Sequence, residues 1–228
     1  MNRYLQAKIE DFLAVFKLEI KKIGNPRDLW NDDQGFNEIY HHIRHLSLVD
    51  KKRCHVFYQL ARAIRPVAGD VAEIGVYRGG TARILAEVLA QDKKTIHLFD
   101  TFTGMPPTDA GVDIHEEGDF GGTSIEAVIA LLKDFKNIRM HPGRFPETAQ
   151  PVESSRFSFV HVDVDINQSV LDCCRFFYPR LNPGGIMIFD DYGFVSCPGA
   201  KKAVDDFFVS LPESPVYLPT GQCFIIKH

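Results

Sequence analysis

The 228-residue sequence has no apolar run near the roughly 20 residues that cross a bilayer, so no membrane span is expected. It also lacks a basic excess. Its 26 Lys and Arg are outnumbered by 30 Asp and Glu, for a net charge of -4, and nucleic acid is therefore not an expected partner. No cysteine pair has CxxC spacing. The odd set Cys54, Cys173, Cys174, Cys197 and Cys223 reads as buried reduced thiols rather than a disulfide framework or a zinc site. The N-terminus mixes Arg3 and Lys8 with Glu10 and Asp11 and has no apolar core of a signal peptide, which makes the cytoplasm the expected address. Repeats and low-complexity tracts are absent too. What is present is 45% hydrophobic and 25% charged residues, enough apolar material for a sizeable core and the balance of a globular protein.

Residues 1–23 place Leu5, Ile9, Phe12, Phe16, Ile20 and Ile23 on one helical face, and Asn25-Pro26 ends that pattern. A loop-rich stretch is expected next, through Trp30, Gly35 and Tyr40-His41-His42. A second helix is expected from near Ser47, with Asp50 in a capping pattern and Phe57, Leu60, Ala61 and Ile64 on its apolar face. From residue 69 short β-branched runs alternate with helical patterns. Strands are expected at 71–76, 95–100, 137–141, 157–163 and 185–190, and helices at 81–91, 124–135, 169–180 and 200–211. A final pair, 216–218 and 223–226, flanks Pro219-Thr220-Gly221 and reads as antiparallel. The fold class is thus α/β: a Rossmann-like sheet of seven strands, the last pair antiparallel, as in class I methyltransferases. The expected division is a helical extension or cap, 1–66, and a catalytic domain, 67–228.

Open α/β sheets bind ligands beyond the carboxyl ends of their strands. Those ends carry Glu73-Ile74-Gly75 running to Gly79-Gly80, then Asp100, His141-Pro142-Gly143, Asp163 with Asp165, and Asp190-Asp191. The first tip is not the GxGxxG of a nicotinamide site, because Tyr77 stands at its second glycine. Gly75 would let a ligand approach the backbone. Glu73 suits a ligand amino group, as in S-adenosylmethionine. Asp100 can take ribose hydroxyls; a tight turn and a helix cap are the plainer readings of these two tips. Four acids at two neighbouring tips would repel one another unless a hard cation such as Mg²⁺ relieved them, or unless they are simply caps and surface groups.

Together these residues resemble the macrocin O-methyltransferase family, metal-dependent enzymes that use S-adenosylmethionine to methylate sugar hydroxyls on natural products. The matching phrases are Gly69 to Gly80, Asp100-Thr101-Phe102-Thr103-Gly104-Met105-Pro106, Gly143-Arg144-Phe145-Pro146-Glu147-Thr148, Pro183-Gly184-Gly185 leading to Asp190-Asp191-Tyr192, and Lys202 to Phe207. The resemblance implies a cofactor site at Glu73, Gly75, Val76, Tyr77, Gly79, Gly80, Thr81, Asp100, Thr101 and Asp163, with Gly143, Arg144 and Phe145 near the adenine. It implies Mg²⁺ or another divalent cation on Asp163, Asp190 and Asp191. Val164 stands where the family usually has glycine, Asn167 where it has an aromatic residue, and Ile166 where catechol enzymes carry their lysine.

The reaction expected is in-line methyl transfer to a hydroxyl of a sugar or other diol-bearing small molecule, with Asp163 and Asp165 as catalytic groups. Asp165 is read as a further ligand or the general base. His161 reads as a core residue and His141 as structural. His41 and His42 read as surface groups. His115 lies in the acidic loop 109–122, which is open to readings as a lid or as a solvated loop. Trp30, Phe36 and Tyr40 either line the pocket or pack in the core. The N-terminal helix either caps the site or pairs subunits into a homo-oligomer. Two other classes remain in play: a nicotinamide-dependent oxidoreductase and a non-catalytic adenosine-ligand module.

Overall fold

The computed structural model describes residues 28–228, so the helix expected over 1–23 lies outside the described residues. Residues 28–33 hold a single 3-10 turn, Leu29–Asn31, which contains Trp30. Gln34–His228 forms one compact unit.

That unit opens with two helices, α1 (Gln34–Ile43) and α2 (Lys51–Ala63). The first corrects the loop expected there: Phe36 and Ile43 are buried one helical repeat apart. Phe36 packs on His55 and Tyr58 at ring distances of 4.9 and 5.5 Å, and on Tyr40 at 5.5 Å, so it serves the core. His41 and His42 are exposed. The cap of α2 is Asp50 itself, whose Oδ1 accepts from the N–H of Lys52 at 2.8 Å and of Arg53 at 3.2 Å.

Then come β1 (Asp70–Ile74), α3 (Gly80–Val88), β2 (Ile96–Asp100), α4 (Ile125–Leu132), β3 (Ile138–Pro142), β4 (Phe157–Val162), α5 (Asn167–Phe177), β5 (Leu181–Phe189), α6 (Pro198–Phe208), β6 (Val216–Tyr217) and β7 (Cys223–Ile226). One sheet runs β3-β2-β1-β4-β5-β7-β6. The first five strands are parallel, and β7 is antiparallel to both β5 and β6. All seven expected strands are present. The largest boundary shift is at β5, which begins at Leu181 beside Phe157, ahead of the Pro183-Gly184-Gly185 turn signal.

Covered on both faces, the central strands are apolar almost throughout, as parallel strands must be. Ala72, Ile74, Phe99, Val160, Val162, Met187 and Phe189 face the Phe177 side of the core. The opposite face receives α2, where Phe57 meets Phe159 at 5.5 Å and His161 at 4.5 Å. Strand alternation decides what each tip can present.

Candidate active site

The tips of β1, β2, β4 and β5 open into one cavity of about 280 Å³. One end is built by the β1–α3 turn. Asp100 closes β2, and its Oδ2 accepts from the N–H of Val76 at 2.7 Å and of Tyr77 at 2.8 Å. Its Oδ1 accepts from Phe102 N at 2.7 Å. A carboxylate has about four lone-pair sites, so Asp100 clamps the turn first and keeps about one for a ligand. Gly75 has φ +89, and a Cβ there would stand 1.8 Å from the Asp163 carbonyl oxygen. Its lack of a side chain therefore serves the close approach of β1 and β4, a tighter constraint than ligand access. Val76, Tyr77, Gly80, Thr81, Thr101, Met105, Gly143, Arg144 and Phe145 complete this end.

Long connection 101–124 folds down over the opening. Met105 N donates to Asp119 O at 2.7 Å, and Arg78 Nε to Gly122 O at 2.8 Å. Asp113 Oδ1 accepts from Asn167 N at 2.9 Å, capping α5 from across the cavity mouth. His115 and Phe120 thereby become lining residues, as a lid requires.

The other end is acidic. Asp163, Asp190 and Asp191 place carboxylate oxygens within 4.8 Å of one another. Asp190 is wholly buried. Its Oδ1 accepts from Gln222 Nε2 at 2.7 Å, and its Oδ2 forms a short contact with Arg53 Nη1. Burial would raise its pKa, but the His161 imidazole 3.9 Å away and the Arg53 charge hold it below the usual carboxylate range. Asp163 feels the same two cations more weakly, and Asp191 has only the Asp165 N–H. Enclosure and neighbouring carboxylates push both well above the ordinary range, Asp190 weighing most on Asp163 and Asp165 most on Asp191. Asp165 is also raised, by burial against the pull of His115. It sits at φ 57, in the left-handed region, with its N–H bonded to Asp191 Oδ2 at 3.0 Å.

Three expected site residues do not line the cavity. Glu73 is wholly buried, because strand register sets it beside His161, whose Nδ1 lies 2.9 Å from Glu73 Oε1. Gly79 lies against Val128 and Leu131 under the turn. Asp190 stands behind Asp163 and Asp191, joined to the cavity through Arg53. The other expected positions all line it: Gly75, Val76, Tyr77, Gly80, Thr81, Asp100, Thr101, Gly143, Arg144, Phe145, Asp163, Asp165 and Asp191.

His161 is a core residue as expected, yet a charged one. Burial would lower its pKa, but the Asp190 carboxylate 3.9 Å away and the Glu73 carboxylate at 2.9 Å carry it up to about 10. The sequence reading missed Leu46 to Val49 and Arg53 from the α1–α2 segment, and Ser169, Phe194 and Cys197 from beyond β4 and β5. Only Arg53 had a local signal, its place one turn into a helix capped by Asp50.

Comparison with known proteins gives the family and the fold. The model of the macrocin-O-methyltransferase (TylF) family matches residues 42–210, from the end of α1 past α6. The chain belongs to the macrocin O-methyltransferase family. A relative from Streptomyces olivaceus, an 8-demethyl-8-(2,3-dimethoxy-alpha-L-rhamnosyl)-tetracenomycin-C 4'-O-methyltransferase, is 33% identical over 62% of this chain and 58% of its own length. Mycinamicin III 3''-O-methyltransferase of Micromonospora griseorubida is 29% identical over 79% of this chain and 80% of its own. The solved O-methyltransferase NovP superposes with a TM-score of 0.69 at 23% identity, covering 80% of this chain and 82% of that one. The calicheamicin methyltransferase CalS11 gives 0.67 at 17%, covering 90% and 99%. These likenesses establish the class I methyltransferase fold for this macrocin-family chain. The match takes in about three fifths of the S. olivaceus relative. Among the described residues no helix is long and apolar enough to cross a membrane.

Proposed function

We propose that this chain is an S-adenosylmethionine- and Mg²⁺-dependent O-methyltransferase that methylates a hydroxyl of a sugar or other diol-bearing natural product. The observation that carries the reading is the cavity itself: a clamped glycine turn with an acid at one end and under-compensated carboxylates at the other. Its relatives act on a rhamnosyl tetracenomycin and on mycinamicin III, which supports a glycosidic acceptor.

The donor groups fit both cofactors. Ile74, Val76, Phe99, Met105 and Phe145 give the first end the apolar walls a nucleoside needs, with Asp100 beside them. At the second, Glu73, Asp163, Asp165, Asp190 and Asp191 meet two cationic groups, Arg53 and the His161 imidazolium. Asp163 and Asp191, which line the cavity, would hold the dication, with Asp190 behind them once it exchanges Arg53 for the ion, an all-oxygen set suited to Mg²⁺. When bound, the cofactors supply an electrophilic methyl group and a charge that acidifies the acceptor hydroxyl.

The chain's residues do the rest. The Val76–Tyr77 turn and Asp100 fix the nucleoside side. Asp165, at the cavity wall, accepts the hydroxyl proton. His115, Phe120 and Leu48 narrow the mouth and keep water out. Residues 34–66 act as a cap to the 67–228 catalytic domain, since Leu46 to Val49 and Arg53 form one wall. A cytoplasmic address and pairing through the N-terminal helices belong to the same reading.

The test is transfer of a labelled methyl group from S-adenosylmethionine to rhamnosides and catechols. Turnover abolished by a chelator and restored by Mg²⁺ is expected. Chelator-insensitive turnover would discard the metal, and NAD binding in place of S-adenosylhomocysteine would discard the class.

A further inference from the structure

Beside the all-oxygen cluster lies a second set of donors with different chemistry. His115 Nε2, Asp165 Oδ1 and Cys197 Sγ form a triangle with sides of 3.4, 3.7 and 3.7 Å. Tetrahedral zinc, with bonds of about 2.3 Å to sulfur and about 2.0–2.2 Å to nitrogen and oxygen, needs donor separations of roughly 3.3–3.6 Å. The triangle is therefore close to one face of such a site before any ion is placed.

Three further features fit. His115 Nδ1 lies 3.2 Å from Asp119 Oδ2, the outer carboxylate that orients metal-binding imidazoles and leaves Nε2 as the free nitrogen. Asp119 is itself steadied by Glu116 N at 3.1 Å. The left-handed backbone of Asp165 turns its carboxylate toward Cys197. All three donors line the cavity, so a fourth coordination position opens onto it.

We infer that His115, Asp165 and Cys197 form a binding site for a borderline transition-metal ion of the zinc class, separate from the Asp163/Asp190/Asp191 set. A nitrogen, sulfur and oxygen donor set selects Zn²⁺ over Mg²⁺. Coordination releases the thiol proton of Cys197 to solvent and involves no redox change. An ion here ties the 101–124 connection to the tip of β4 and the start of α6. All five cysteines are free and buried, as expected, and Cys197 alone would add a ligand role. An ion here would take up the Asp165 carboxylate proposed above as the base, so its occupancy opposes methyl transfer, whereas the site itself does not depend on the acceptor.

Cobalt is the probe. The reduced, metal-stripped full chain is titrated with Co²⁺ in excess Mg²⁺, which keeps the all-oxygen set occupied. One equivalent is expected to give a thiolate-to-cobalt charge-transfer band and the intense visible absorption of four-coordinate cobalt, both bleached by Zn²⁺. Cys197→Ser should abolish the charge-transfer band, whereas Cys54→Ser should keep it. His115→Ala and Asp119→Asn, both in the surface connection, should weaken Co²⁺ binding about tenfold or more. Absence of the thiolate band in the unsubstituted protein would overturn the inference. So would its survival in Cys197→Ser, or Co²⁺ binding that disappears only in Asp163→Asn.

Discussion

The two ends of the cavity are built on opposite electrostatic plans. At the glycine-turn end the single acid, Asp100, is satisfied by three backbone N–H groups before any ligand arrives. At the acidic end Asp163 and Asp191 sit enclosed among other carboxylates, and the two cations beside them, Arg53 and His161, are committed to Asp190 and Glu73. The first end is a preformed cradle. The second favours carboxyls that keep their protons, which a bound cation would displace. On the proposed reading one end is shaped to bind and the other to react, and they meet where Gly75 touches the Asp163 backbone.

The largest expected effect lies at the reactive end. Asp165→Asn should lower turnover by about 10²–10⁴-fold, the usual worth of a general base, with S-adenosylhomocysteine affinity nearly unchanged by calorimetry. Equal losses of turnover and affinity would mean that the ends are not separable. Gly75→Ala attacks the junction. A methyl group 1.8 Å from the Asp163 carbonyl oxygen, at φ +89, should cost about 3 kcal/mol or more in a denaturant melt, and an unchanged midpoint would refute the tight approach.

How much of this was legible in the sequence follows from the same contrast. Short apolar, β-branched runs and turn residues located every strand, the five parallel ones because strands buried on both faces leave little freedom of composition. The site was legible as a set of strand tips for the same topological reason. Glu73 was misplaced because alternation turns it to the α2 face, where His161 is its register neighbour. Helix α1 was missed because Gln34–Ile43 is mostly polar and only Phe36 and Ile43 are fully buried. Arg53 and Cys197 reach the cavity from elements far apart in sequence, and their convergence is a product of packing. No local pattern encodes it.

Smaller effects sharpen the comparison. Arg53→Gln removes the cation from Asp190, so Mg²⁺ should bind about tenfold more tightly by calorimetry, roughly 1.4 kcal/mol, while the metal-free protein melts earlier. Weaker Mg²⁺ binding would instead make Arg53 a support for the site. At the glycine-turn end, burial and His97 lower the His141 pKa from 6.5 to about 4, beside Phe99 at 4.4 Å. The unfolded chain therefore takes up a proton that folded His141 refuses. The stability His141 contributes is full above pH 6.5 and is lost as pH falls toward 4. His141→Gln should flatten the melting temperature across that window; an unchanged slope would assign it to other groups.

The division of labour is tested most directly by calorimetric titration of S-adenosylhomocysteine into the unsubstituted protein, Asp100→Asn and Asp191→Asn, each with Mg²⁺ and with a chelator. The account predicts metal-independent binding to the unsubstituted protein and to Asp191→Asn, with affinities within about threefold, and at least about tenfold weaker binding to Asp100→Asn, which loses a charged acceptor. Binding that requires Mg²⁺ or Asp191, or that ignores the loss of Asp100, would contradict it.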